Sequence, residues 1–214
     1  GTAKIFLVGD EPIKINNNTL LTIKATPNTF VAFDCSGFAG VSIEAEGEFS
    51  RELIVPENAD GTTHATDRVK FNFITYAQSL NDLMVSISLP PFQIAGLKGV
   101  GFSVNQATID WSDLANPPGL AFPQSYVSPF AEQPNLWQGF FIQRLEVRLP
   151  PAFSRKEKGS RVTLGAERMV LDDQGFSGVV FAENVLQDGN MNGWTYTINR
   201  LSLEISANQP KNFS

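Results

Sequence analysis

Short runs in which apolar and polar residues alternate recur through the chain, and they predict strands with one buried face. The period is plainest in Val85-Ser86-Ile87-Ser88-Leu89, Leu145-Glu146-Val147-Arg148-Leu149 and Leu201-Ser202-Leu203-Glu204-Ile205. The same reading predicts strands near residues 4–8, 20–25, 30–34, 41–46, 69–76, 102–111, 162–172 and 178–183. No window holds a convincing helical period, and Gln78–Leu83 amounts to one or two turns at most. Proline closes two strands alike, in Leu89-Pro90-Pro91-Phe92 and in Leu149-Pro150-Pro151-Ala152. A residue without an N–H cannot continue a central ladder, so these strands are expected to stop there or to lie at a sheet edge.

Some of these strands are versions of one another. Phe33-Asp34-Cys35-Ser36-Gly37-Phe38-Ala39-Gly40-Val41 recurs as Leu171-Asp172-Asp173-Gln174-Gly175-Phe176-Ser177-Gly178-Val179, and Ile109-Asp110-Trp111-Ser112-Asp113 repeats its beginning. Trp137–Leu145 is echoed by Gly193–Leu201. Pro90 to Pro150, Asp110 to Asp172 and Arg144 to Arg200 each span about 60 residues, the length of a packing unit that recurs because each copy covers its neighbour's apolar face. The expected fold is all-β: an antiparallel β-sandwich or a stacked β-sheet repeat with a partial further unit. It forms either one domain, 1–214, or tightly packed units of about 1–84, 85–142 and 143–214. Residues 113–135 break the pattern with five prolines and are expected to form a long loop.

Composition supports strands over helices. The chain has 214 residues with 17 Gly, 13 Pro and 17 Phe and only 18% charged residues, which suits strands joined by tight turns. A core can form without disulfide or metal at this length, and a single cysteine, Cys35, excludes an internal disulfide. A net charge of −6 and the absence of a basic stripe argue against nucleic acid. The one basic cluster, Arg155–Arg161, is read as a solvated loop. No stretch approaches the roughly 18 apolar residues of a membrane-spanning helix, so no membrane insertion is expected.

Candidate chemistry is sparse. Asp188, Asn190 and Asn192, in Asp188-Gly189-Asn190-Met191-Asn192-Gly193, match the first half of a calcium loop, although Asn199 stands where a bidentate Glu is required. Calcium at this loop is the one cofactor the residues suggest, and a hairpin turn explains the same residues. Glu44, Glu46 and Glu48 share one strand face at the spacing of a glycosidase pair, or of a solvated acidic row. Nucleophilic catalysis has little support, since His64 is the one histidine of the chain; a Cys35/His64 dyad would need the fold to bring the pair together. Trp111, Tyr126 and Phe130 are candidate ligand-binding residues, either as an aromatic platform for sugar rings or as packing; Tyr126 and Phe130, between prolines, are expected to be exposed. Trp137 and Trp194, at corresponding places of an echo, are expected to pack.

The run Gly175-Phe176-Ser177-Gly178-Val179, followed by Gly193-Trp194 and Ile198-Asn199-Arg200-Leu201, resembles β-repeat modules of very large bacterial proteins of the Bacteroidota. The resemblance covers the last third and, more loosely, residues 30–50. It implies a repeat segment of a longer chain and assigns no residue roles. A non-enzymatic structural or adhesive module of a secreted or surface protein is therefore expected, with neighbouring repeats or partner proteins as its contacts. The alternatives are a carbohydrate-binding module using the 113–135 loop and, third, a glycan-cleaving enzyme built on Glu44 and Glu46.

Overall fold

The computed structural model describes residues 1–79, 81–127, 130, 133–153, 161–191 and 194–214, and these form antiparallel β-sheet as the alternating runs predict. The strands are β1 (Ala3–Phe6), β2 (Glu11–Asn16), β3 (Thr19–Ile23), β4 (Phe30–Asp34), β5 (Gly37–Phe49), β6 (Ile54–Pro56) and β7 (Lys70–Ala77). They continue with β8 (Met84–Ile94), β9 (Gly101–Asp110), β10 (Gly139–Arg148), β11 (Thr163–Asp172), β12 (Gly175–Met191), β13 (Trp194–Ser206) and β14 (Gln209–Phe213). The first sheet runs β1-β4-β5-β3-β2, and β7 pairs with the opposite edge of β5. The second is a meander from β8 to β14, with the short β6 added at β8. A boundary at about residue 142 falls inside β10, so the later units share one sheet.

The register of the second sheet gathers residues of one character into rows. Val85, Ile109, Phe140, Leu171 and Phe176 lie opposite one another across successive strands. So do Leu89, Val104, Leu145, Ala166, Val180, Leu203 and Phe213, and likewise Phe92, Phe102, Val147, Leu164, Ala182 and Leu201. Between them run rows of another kind, such as Asn105-Arg144-Glu167-Val179-Glu204 and Gly101-Arg148-Thr163-Glu183-Arg200. Because successive residues of a strand point to opposite sides, one face is apolar and the other carries the charges.

Bulges keep the faces in phase. Gln106 in β9 and Arg168 in β11 have positive φ, at 48° and 51°, and each lies at a register shift. Each also stands four residues before an Asp of the repeated motif, Asp110 or Asp172, so the irregularity is itself repeated. An extra residue of this kind turns the chain without sending the following side chains to the wrong side. A further shift lets β8 run through Pro90-Pro91 to Ile94; of the expected stop or edge position it is the edge position that holds, with only the short β6 beyond β8. β6 pairs with residues 92–94 of β8, and just beyond it Glu57 N donates to the Pro91 carbonyl. Strand β10 does end at Arg148, before a 3-10 turn at Pro151–Phe153.

The charged face is tied across strands. The guanidinium groups of Arg144 and Arg200 lie 4.4 and 4.5 Å from the centroid of the Phe181 ring. Arg144 bonds Glu146, Glu167 and Glu183, and Arg200 bonds Glu167 and Glu183. The ring lies over Gly165 of the neighbouring strand, where a Cβ would meet Phe181 Cζ at 2.5 Å and the Leu145 carbonyl as well. At the far end Glu57 is buried between Arg148 and Arg161, at 2.7 and 2.6 Å, and accepts from Gln93. Arg161 also donates to the carbonyls of Leu149, Arg148 and Gly99. It is thus a buried cross-link where a solvated loop was expected; the rest of that basic cluster lies outside the described residues.

Gly165→Ala is expected to destabilise the fold by about 1–3 kcal/mol, because the ring and the ladder leave no room for a methyl group. Urea unfolding of the variant measures this, and unchanged stability would show that Phe181 is free to move aside.

Candidate functional site

The repeated Asp motif is a hairpin closure. Asp34 pairs with Gly37 and Asp172 with Gly175 across two-residue turns. In each, the Asp Oδ1 accepts a backbone N–H two residues on, from Ser36 at 2.8 Å or Gln174 at 2.9 Å. The glycines have φ of +115° and +98°, a region that favours glycine. Asp110 accepts from Ser112 N in the same way, at 2.9 Å, and pairs with Gly139, which Phe140 follows as Phe38 and Phe176 follow their glycines. The third copy is therefore the same hairpin with residues 111–138 inserted at its tip. The Trp137–Leu145 echo of Gly193–Leu201 has no such equivalence, since β10 and β13 run in opposite directions in the meander. Accordingly Trp137 is buried whereas Trp194 is exposed.

The insertion folds back over the charged face at its Asp end. Leu120, Phe122 and Tyr126 pack on Trp137, Phe141 and Val170. Phe122 stacks on Tyr126 with centroids 4.6 Å apart and meets Trp137 edge-on at 5.8 Å. Asp172 closes the cluster, its Oδ2 accepting from Tyr126 Oη and, at 2.8 Å, from Trp137 Nε1. Farther along, Glu204 Oε1 accepts from Ser125 N and Oγ, both at 2.7 Å, and Ser206 donates to the Ser125 carbonyl. Gln106, at the β9 bulge, donates to the Pro118 carbonyl.

This placement divides the expected aromatic platform. Tyr126 is half-buried in the stack, not exposed between its prolines. Trp111 follows Ile109 by alternation onto the apolar face and is 54% exposed, so it lies on the opposite side from Tyr126. Phe130 is exposed on the insertion. Of the calcium-like motif, Asn192 and the side chains of Asp188 and Asn190 lie outside the described residues. The backbone of residues 189–191 pairs with β13 as strand.

The acidic row is engaged by its neighbours. Glu44 accepts from Thr26 and Asn28, whose hydroxyl and amide hold its carboxyl below the ordinary Glu range. Glu46 and Glu48 pair with Lys70, and Glu48 with Arg68. A glycosidase acid needs a carboxyl pushed upward, so Glu44 is shifted the wrong way for that task. His64 Nδ1 is 2.7 Å from Asp67, and Cys35 is exposed at the β4–β5 hairpin tip. Among the described residues no three His, Cys, Asp or Glu side chains gather as a metal cluster.

The apolar face of the second sheet is only partly covered. Its β8–β9 corner is covered by Phe49, Ile54 and Val69, yet Ile109, Leu164 and Leu171 remain 39%, 43% and 52% exposed. The chain exposes 12831 Å² in total, against about 9,700 Å² expected for a compact protein of this mass. No family model, no curated protein and no solved structure matches this chain.

The clasp of the insertion is expected to loosen in acid. Ser125 N–H and O–H depress the Glu204 carboxyl, so the stability this contributes is present above the ordinary Glu value and lost as pH falls through the folded one. Tryptophan emission should shift to the red below pH ~4.5 in the parent, and Glu204→Gln should flatten that acid limb. The same titration in both proteins would contradict the clasp.

Proposed function

We propose that the chain is a non-enzymatic structural β-repeat module of a larger secreted or surface protein, and that its apolar sheet face packs against the like face of a neighbouring repeat or of a second copy. The observation that carries this reading is the unbroken apolar character of rows spanning β8 to β14, set against a face that the insertion and the Arg–Glu ladder already fill. Rows of Val, Leu, Ile and Phe on a regular sheet suit another sheet about 10 Å away with strands roughly aligned. Recurrence of the hairpin supports a like partner, because each copy presents the same kind of face.

Ile109, Leu164 and Leu171 stand exposed on this face, where a stable interface draws about 800 Å² from each partner. The resemblance to bacterial β-repeat modules points to the same role. Carbohydrate binding is less well supported, because Trp111 and Tyr126 are separated by the sheet.

Sedimentation velocity over rising protein concentration tests this. Reversible self-association is expected for the parent, and a monomer for the Ile109→Glu, Leu164→Glu, Leu171→Glu variant with an unchanged β signature in circular dichroism. A parent that remains monomeric throughout, or a variant that associates equally, would overturn the reading.

A further inference from the structure

Where the insertion leaves β9, two carboxylates meet at Ser112. Asp110 is fully buried; its Oδ1 accepts from Ser112 N, while its Oδ2 is buried with no donor among the described residues. Asp82 accepts from Ser112 Oγ at 2.8 Å and from Gln78 N at 3.2 Å. Ser112 Oγ in turn accepts from the N–H groups of Leu114 and Ala115, in the turn that leads into Asn116. Asn116 Oδ1 is likewise buried, with no donor among the described residues.

The sheet explains the approach of the carboxylates. Met84 lies opposite Asp110, and the N–H groups of Trp111 and Asp113 continue the pairing to Leu83 and Asn81. Asp82 and Asp110 are thus diagonal neighbours on one face, at a separation of about 7 Å between backbone positions that side chains readily bridge. Among the described residues no cationic side chain pairs with either carboxylate, and the Asp110 Oδ2 and Asn116 Oδ1 oxygens are left without donors.

We propose that Asp82, Asp110 and Asn116 bind a hard divalent cation of the calcium class, which fixes the root of the insertion. Oxygen donors of mixed carboxylate and amide type, with carbonyls at hand in the turn, are what calcium takes in its wide and irregular shell. A soft metal has no sulfur or imidazole here. The site is separate from Asp188 and its neighbours and does not depend on the packing role proposed above.

Calorimetric titration of the chelator-treated protein with calcium, with magnesium as comparator, tests the proposal, together with thermal melting. Calcium is expected to give saturable heat and to raise the Tm. Asp110→Asn and Asp82→Asn should each weaken binding at least about tenfold, whereas Asp188→Asn should retain it. The less buried Asp82 supplies the test if Asp110→Asn fails to fold. Absence of heat and of a Tm shift in the parent would overturn the site, as would binding lost in Asp188→Asn but kept in Asp82→Asn and Asp110→Asn.

Discussion

Alternation across a β-sheet is the constraint on which the rest of this structure depends. Each strand sends successive side chains to opposite sides, and the meander from β8 to β14 holds its register closely enough for like residues to meet. The two sides then solve different problems. Charged side chains face one another across β10, β11, β12 and β13 and bond in a ladder centred on Phe181. The ion pairs are partly exposed, so each contributes little alone; their joint effect is to keep the aromatic ring against Gly165. Among the described residues, the core cluster on the apolar side lies at one corner.

The insertion shows how a module can diversify without disturbing that register. Hairpin closure needs only the Asp and Gly that face each other at the strand ends, and Asp110 and Gly139 still do so with residues 111–138 between them. What the longer connection adds is a local lid of Leu120, Phe122 and Tyr126 over Phe141 and Val170. Its polar attachments lie on several strands, at Gln106, Asp172 and Glu204. The inserted loop therefore spans strands that sheet bonding already holds, and its own fold depends on them.

Much of the sheet was legible in the sequence because alternation is a local signal. The strands around Val85, Leu145 and Leu201, and the recurrence of Asp34 and Asp172, needed only neighbouring residues. The third hairpin was legible only in its first half: Gly139-Phe140 completes the motif begun at Asp110, but the intervening residues hid the match. At Pro90-Pro91 a stop and an edge position both fitted the prolines, and the choice between them rested on a shift of register that is invisible in a strand taken alone. Long-range partners account for the remaining differences. Nothing in Arg155–Arg161 reveals that Arg161 meets Glu57, and nothing near Tyr126 reveals its bond to Asp172.

The apolar face is proposed to be covered by a like face in solution. A cysteine placed at Leu171, in a chain with Cys35 replaced by Ser, reports on that face through its rate of maleimide labelling as protein concentration rises. Slowing with concentration, while a cysteine at the exposed Val127 of the insertion labels at a constant rate, is the result predicted. Rapid labelling at Leu171→Cys at every concentration would contradict it.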